Sequence, residues 1–306
     1  MSVSVVFNQM MIIFLLMMTG VLLYKKSIIT DESSKLLSNL IVTAFNPAMI
    51  ISGALDRNGT GGMREILFVM MIACLMFVTL IILGHVIPVI LRVPQNEKSI
   101  YNMMTVFGNI GFIGIPVTAA ILGKSAVIYI VLFNLPFSIL IYTYGIYLIT
   151  KGTDKRPVYS LKSLINIGTV SSVIAIFIFI FKVRFPDPIE SAVNYLGSAT
   201  TSLSMISMGV SLAQIPLRKI FTDIRLYMFA GIRLLIIPIC SAVMLKPLIA
   251  DPLIYGVTIL MIAMPCGSMP VILAQTYGVN SECAARTVVL TTILSLGTIS
   301  AVSLFM

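Results

Sequence analysis

The chain is 306 residues long, 58% of them hydrophobic and only 10% charged, a balance that excludes a soluble globular domain and places it among polytopic membrane proteins. A formal charge of +9 would point to nucleic acid in a soluble protein, but here the basic residues sit in short gaps between apolar runs, where they set topology, and nucleic acid is set aside. The four cysteines, Cys74, Cys240, Cys266 and Cys283, form no close pair, so no disulfide framework, metal centre or cofactor site is expected.

In chain order, apolar spans fall at roughly 4–23, 35–55, 65–91, 100–121, 125–149, 161–182, 191–213, 226–246, 253–276 and 284–305. Each approaches the ~20 residues that a bilayer requires, which predicts an all-α membrane protein of ten transmembrane helices. The first run, Val3 to Leu23, has no Lys or Arg before it and Lys25 and Lys26 after it, so it is read as a spanning helix and not as a signal peptide. Helix two carries Asn46-Pro47. Helix three ends near His85 and Pro88, and this single histidine is read as structural.

Helix four is the unusual one, because Gly108, Asn109, Gly111, Gly114 and Pro116 collect within nine residues. Gly costs about 1 kcal/mol and Pro about 3 kcal/mol in a helix interior, so the run predicts a break. In lipid, a break is tolerated only where protein or a water-filled cavity meets the freed backbone groups. Asn109 and the amides from Gly111 to Gly114 then face a site whose half-helix ends attract an anion; the glycines also suit close helix packing.

Helix five holds Asn134 and Pro136, with a cavity-facing role for Asn134 standing level with an interhelical hydrogen bond. Its Tyr142, Tyr144 and Tyr147 are read as an interfacial aromatic belt. In helix seven, Thr200, Ser204, Ser207 and Ser211 share one face, and packing is favoured over a polar path. Arg233 is the intramembrane charge of helix eight; it could meet a carboxylate substrate or snorkel to the interface. Helix nine repeats the break signal, with Pro265, Cys266, Gly267, Ser268 and Pro270 in six residues. All eleven acids fall in gaps or at helix ends, which disfavours coupling through a buried carboxylate.

Thirteen Lys and Arg lie in the gaps after the odd-numbered helices and six on the other side, which puts the odd gaps in the cytoplasm and both termini outside. The chain also repeats itself. Thr43 to Leu55 in helix two aligns with Thr201 to Ala213 in helix seven, and Gly114-Ile-Pro-Val in helix four aligns with Ser268-Met-Pro-Val in helix nine. Matching helices are five apart, an odd number, so the second half enters the membrane inverted. The division is a first five-helix repeat at 1–150, a cytoplasmic connecting loop at 151–162 and an inverted repeat at 163–306. Inverted repeats with broken matching helices point to a secondary transporter. No metalloprotease or diphosphate motif is present, so no enzyme is expected. A sensor that binds a small carboxylate without moving it is the alternative.

The run Asn102…Gly108-Asn109-Ile-Gly-Phe-Ile-Gly-Ile-Pro116, with Phe133-Asn134-Leu-Pro136 and the tyrosines after it, resembles the auxin efflux carrier family in its short bacterial form. That resemblance implies a fold similar to the bile-acid/sodium symporters and sodium/proton antiporters. Helices four and nine would cross at their breaks in a moving domain of helices 3–5 and 8–10, against a scaffold of helices 1, 2, 6 and 7. It further implies a bacterial cytoplasmic-membrane carrier, dimerising through the scaffold, that works by an elevator movement. The cargo would be a small organic anion, a mono- or dicarboxylate such as malate or malonate, driven by membrane potential or by proton movement. Asn109, Gly111, Gly114, Pro116, Asn134, Pro265, Gly267, Ser268 and Pro270 would border the substrate, with Arg233 as a counter-charge.

Overall fold

The computed structural model of the protein describes residues 3–55, 62–151, 165, 167–214, 223–277 and 281–306. Within them the chain is all-helical, and helices occupy every predicted span. They are α1 (Val3–Lys25), α2 (Asp31–Leu55), α3 (Met63–Ile90), α4a (Lys98–Val106), α4b (Ile110–Leu122), α5 (Lys124–Thr150) and α6 (Ile167–Phe181). The second half continues with α7 (Asp187–Ala213), α8 (Ile224–Leu245), α9a (Pro252–Ala263), α9b (Met269–Tyr277) and α10 (Ser281–Ser303). The connecting loop beyond Lys151, with Lys155, Arg156 and Lys162, lies outside the described residues, as do Arg57, Arg218 and Lys219.

Six of these helices, α1, α2, α3, α5, α8 and α10, contain stretches long and apolar enough to cross a membrane, and α4b, α6 and α9a are shorter apolar helices. The outward faces agree. On α3, Leu67, Met71, Leu75, Val78, Ile82, Val86 and Val89 form an exposed stripe at steps of four and three. Such a continuous apolar face would drive aggregation in water but is the ordinary surface of a helix in lipid. The protein is therefore a multi-pass membrane protein.

Local chemistry sets the ends and irregularities of the helices. Thr30 and Ser33 form a reciprocal capping box at the start of α2, and Asp251 accepts from the amides of Leu253 and Ile254 at the start of α9a, satisfying amides that have no partner in the first turn. Three prolines inside helices, Pro47, Pro116 and Pro238, each follow a widened π-turn. In each case the residue before the proline, Asn46, Ile115 or Ile237, donates to the carbonyl five positions back. The extra residue in the turn relieves the clash between the proline ring and the preceding turn, so the helix continues where a break would be expected.

Two groups of helices recur in the packing. α7 lies along α1 and α2, and α2 lies along α6. The α1–α7 contact is backbone on backbone: a Cβ added at Gly209 would stand 1.9 Å from Met17 O, and one at Gly20 would stand 2.0 Å from Ile206 O. Small residues allow that approach, which in lipid supplies dispersion contact where no hydrophobic drive exists. Elsewhere α3 packs on α4a and α5, and α8 packs on α9a and α10.

Candidate functional site

The two predicted breaks are real and they meet. α4a ends at Val106, with Phe107 in an extended conformation, and the helix resumes at Ile110. α9a ends at Ala263, Met264 is extended, and α9b begins at Met269. The extended pieces run antiparallel, with Gly108 opposite Cys266. On either side of that pair, Asn109 N donates to Pro265 O at 2.7 Å and Gly267 N donates to Phe107 O at 2.8 Å. Each break thus supplies the hydrogen-bond partners that the other lost, which is how non-helical backbone survives in the interior of a membrane protein. The two strands approach closely: a Cβ at Gly267 would lie 3.0 Å from the backbone oxygen of Gly108, and one at Gly108 would lie 3.2 Å from Arg233 Nη2, the end of a side chain that would have to give by a few tenths of an ångström.

The break in helix four lies at Phe107–Asn109, earlier than the Gly111–Gly114 run suggests. Those residues form a π-turn: Phe112 N is taken by Asn109 Oδ1 at 3.2 Å and Gly114 N by Asn109 O at 2.8 Å. Their amides are therefore partly engaged already. Gly111 is half-buried with nothing within 4 Å of the position a Cβ would take, whereas Gly114 faces Met261 and Met264 of the other break. Pro116 and Pro270 are buried.

Two neighbouring helices brace the crossing. From α10, Thr291 Oγ1 accepts from Cys266 N at 3.2 Å, and Cys266 Sγ is 3.2 Å from Met104 O. From α8, Arg233 enters through the π-turn Ile232–Ile236 and donates from Nη1 to Ile262 O at 2.5 Å. Its side chain is fully buried, so it does not snorkel. Ile262 lies in the last turn of α9a, where carbonyls lack helical partners and the dipole is negative, a favourable place for a cation. The described acids all lie at helix ends or in loops. Asn109 is also buried, and its Nδ2 has no partner among the described residues.

Beside the crossing is a cavity of about 290 Å³ lined from α2 and α7 by Ser38, Ser207 and Ser211, and from the other group by Phe112, Ser268 and Val288, among others. Ser38 and Ser207 are 3.0 Å apart at their hydroxyls, and one turn away the buried Ser204 Oγ has no partner among the described residues. The hydroxyl stripe of α7 therefore divides: Thr200 bonds Phe45 O at 2.9 Å, as packing predicts, while Ser207 and Ser211 face the cavity.

Of the predicted site residues, Asn109, Pro265, Gly267 and Arg233 meet at the crossing and Ser268 reaches the cavity. Arg233 is not among the cavity-lining residues. Asn134 lies elsewhere, donating to Ser172 Oγ of α6 at 3.3 Å. Tyr144 departs from the predicted belt: it is half-buried and donates to Asn102 Oδ1 at 3.1 Å, in a cluster where Asn102 Nδ2 is 3.2 Å from His85 Nδ1. Sequence reasoning missed Ser38 and Thr291; the one visible signal for Thr291 is that Thr287, Thr291, Thr292 and Ser295 crowd an otherwise apolar span.

A family model described as "Membrane transport protein" matches residues 5–159 and again 156–303. An uncharacterized transporter of Methanocaldococcus jannaschii is 25% identical over 299 residues, covering 94% of this chain and 95% of the relative. Another, from Methanothermobacter thermautotrophicus, is 25% identical over 290 residues, covering 93% of each. A Rhizobium meliloti protein, provisionally named a malonate transporter, is 24% identical over 215 residues, 67% of this chain and 66% of the relative. These are transporters and not enzymes, and the chain belongs to their family, the membrane transport proteins that include the auxin efflux carriers.

Proposed function

We propose that the protein is a secondary transporter of a small organic anion, a mono- or dicarboxylate of the size of malonate or malate. The observation that carries this reading is Arg233: a fully buried guanidinium at the crossing of two helix breaks, bonded to a backbone carbonyl. A positive site of this kind inside a low-dielectric protein attracts an anion and repels a cation. The substrate would sit in the adjoining cavity, held by the hydroxyls of Ser38, Ser207, Ser211 and Ser268, while the unpartnered Asn109 amide stands at the crossing, outside the cavity lining. Gly111, Gly114, Pro116, Pro265, Gly267 and Pro270 would shape the crossing behind it.

The ten-helix inverted repeat has further support in the packing. Under a shift of five helices, α1–α7 corresponds to α6–α2, α3–α4a to α8–α9a, and α3–α5 to α8–α10, and each of these pairs is in contact. The antiparallel pairing at Gly108 and Cys266 is the arrangement an in-plane two-fold axis would produce. On this basis α1, α2, α6 and α7 form the scaffold, helices 3–5 and 8–10 move against it, both termini lie outside a bacterial cytoplasmic membrane, and the exposed apolar face of α6 is available to lipid or a second copy. The cavity lies between the two groups, where an elevator movement would alternate its exposure. With every described acid at a helix end or in a loop, the drive is the membrane potential on the anion or an accompanying proton.

Thermal-shift screening of purified protein against a panel of mono- and dicarboxylates tests the reading, with Asn109→Ala as control. A carboxylate that raises the wild-type melting temperature but not that of the variant supports it. Equal response, or none across the panel, removes the anion site.

A further inference from the structure

Two buried oxygens outside both the cavity lining and the crossing occupy equivalent places in the two halves of the chain. Ser204 Oγ on α7 and Asn46 Oδ1 on α2 have no hydrogen-bond partner among the described residues. In the alignment of Thr43 to Leu55 with Thr201 to Ala213, Asn46 falls on Ser204 and Gly53 falls on Ser211. Both orphaned oxygens lie within about one turn of the middle of their helices. Thr200 Oγ1, one turn from Ser204, donates to the carbonyl of Phe45, beside Asn46, at 2.9 Å, which brings the two positions to one level. Ser204 is fully buried and stands about two turns from Ser211 on one face of α7, and Ser211 lines the cavity. Asn46 stands about two turns from Gly53 on one face of α2. There α5 closes down, since a Cβ at Gly53 would lie 2.4 Å from Val127 Cβ. One end of the α2–α7 face is thus open as the cavity and the other is shut, with Ser204 and Asn46 between them.

We propose that Ser204 and Asn46 form a transit site, the polar pair that the carboxylate cargo meets midway as it passes between the two ends of the α2–α7 face. The proposal rests on the transport reading and adds to it two residues outside the cavity. A carboxylate that leaves the cavity for the apolar middle of the protein gives up hydrogen bonds, and groups that restore them only during the passage lower its barrier. The Ser204 hydroxyl supplies a donor. The Asn46 amide supplies donors from Nδ2 and, at Oδ1, an acceptor for a cargo hydroxyl or an accompanying water. Their equivalence in the inverted repeat gives the pair the same relation to either end of the face, whichever is open. The fold bears the cost, because a buried polar atom without a partner is destabilising and an apolar replacement of similar shape is neutral or stabilising.

The test compares full-length wild type, Ser204→Ala and Asn46→Leu, first melted in detergent with and without malonate or malate, then in proteoliposome counterflow of the same radiolabelled acids. S204A and N46L should melt at or above wild type. Their half-maximal thermal shift should need the same acid concentration to within about twofold, since the cavity lining is unchanged. Counterflow should slow by ~10-fold or more in each, the rate equivalent of one lost hydrogen bond to a charged group. A pair that merely packs would give the reverse, a lower melting temperature with an unchanged rate. Unslowed counterflow in either variant, melting below wild type, or weakened binding that accounts for the slower rate overturns the proposal. If N46L does not fold, S204A decides alone by the same criteria. A wild type that moves neither acid removes the transport reading and the transit site with it, whereas wild-type flux with unslowed variants removes the transit site alone.

Discussion

Gly209→Ala places one methyl group at the α1–α7 contact. It would stand 1.9 Å from Met17 O and 2.7 Å from the same carbonyl's carbon, and separations under 3.0 Å essentially never occur. The two helices must therefore part locally by about 1.1 Å, the difference between 1.9 and 3.0 Å. Both obstructing groups are helix backbone, so no rotamer change provides relief. Overpacking costs ~1–3 kcal/mol where side chains can yield, and the upper figure applies here. At about 2 °C per kcal/mol for a chain of this size, the melting temperature should fall by about 6 °C. The chain has no tryptophan, so unfolding is best followed with a thiol-reactive dye on the buried Cys266 and Cys283, after the exposed Cys74 and Cys240 are changed to Ser. Gly20 meets Ile206 O in the same way one turn along α1, and one separation relieves both clashes. G20A/G209A should then cost little more than either single change. Gly297→Ala, with nothing within 4 Å of its added Cβ, is the control and should be neutral or slightly stabilising. A G209A that melts within ~1 °C of wild type, or fully additive losses in the double variant, would refute the packing argument.

Asn109→Asp keeps the oxygen that caps Phe112 N and should melt close to wild type, yet its negative charge offsets Arg233 and should abolish carboxylate binding in the thermal-shift screen. Asn109→Ala loses the cap and should be destabilised by about 1 kcal/mol as well, so the pair separates fold from binding. Ser268→Cys, in the background lacking Cys74 and Cys240, should react with a water-soluble thiosulfonate because Ser268 lines the cavity, and malonate should slow that reaction; labelling unaffected by malonate would count against the cavity as the substrate site. Thr291→Val takes the acceptor from Cys266 N and should cost about 1–2 kcal/mol of stability, read as a lower melting temperature.

The helices were legible because each apolar run has the length a bilayer demands, and the breaks because Gly108 and the Pro265–Pro270 cluster have no place in an ordinary span. Composition could not locate the first break within its helix. Gly111, Gly114 and Pro116 signal weakness, but the π-turn at Ile110–Gly114 absorbs it, and the helix opens at Phe107 instead. Whether Arg233 snorkels or points inward depends on whether a carbonyl waits across the helix interface, and Ile262 O is placed there only by the packing of the following helix, α9a. Asn134 was equally ambiguous, because an amide in a span serves a cavity or a neighbouring helix with the same chemistry; Ser172 settles its partner. The cavity serines were visible as a stripe, but their role depends on what α9b and α10 place opposite them.

The most direct test of the account is counterflow of radiolabelled malonate in proteoliposomes, comparing wild type, Asn109→Asp and protein-free vesicles. The account predicts saturable, malonate-driven accumulation by the wild type that falls to the protein-free level in N109D. Wild-type vesicles that accumulate no malonate, malate or monocarboxylate beyond the protein-free level would contradict it, and carboxylate binding without flux would make the protein a receptor on a transporter fold.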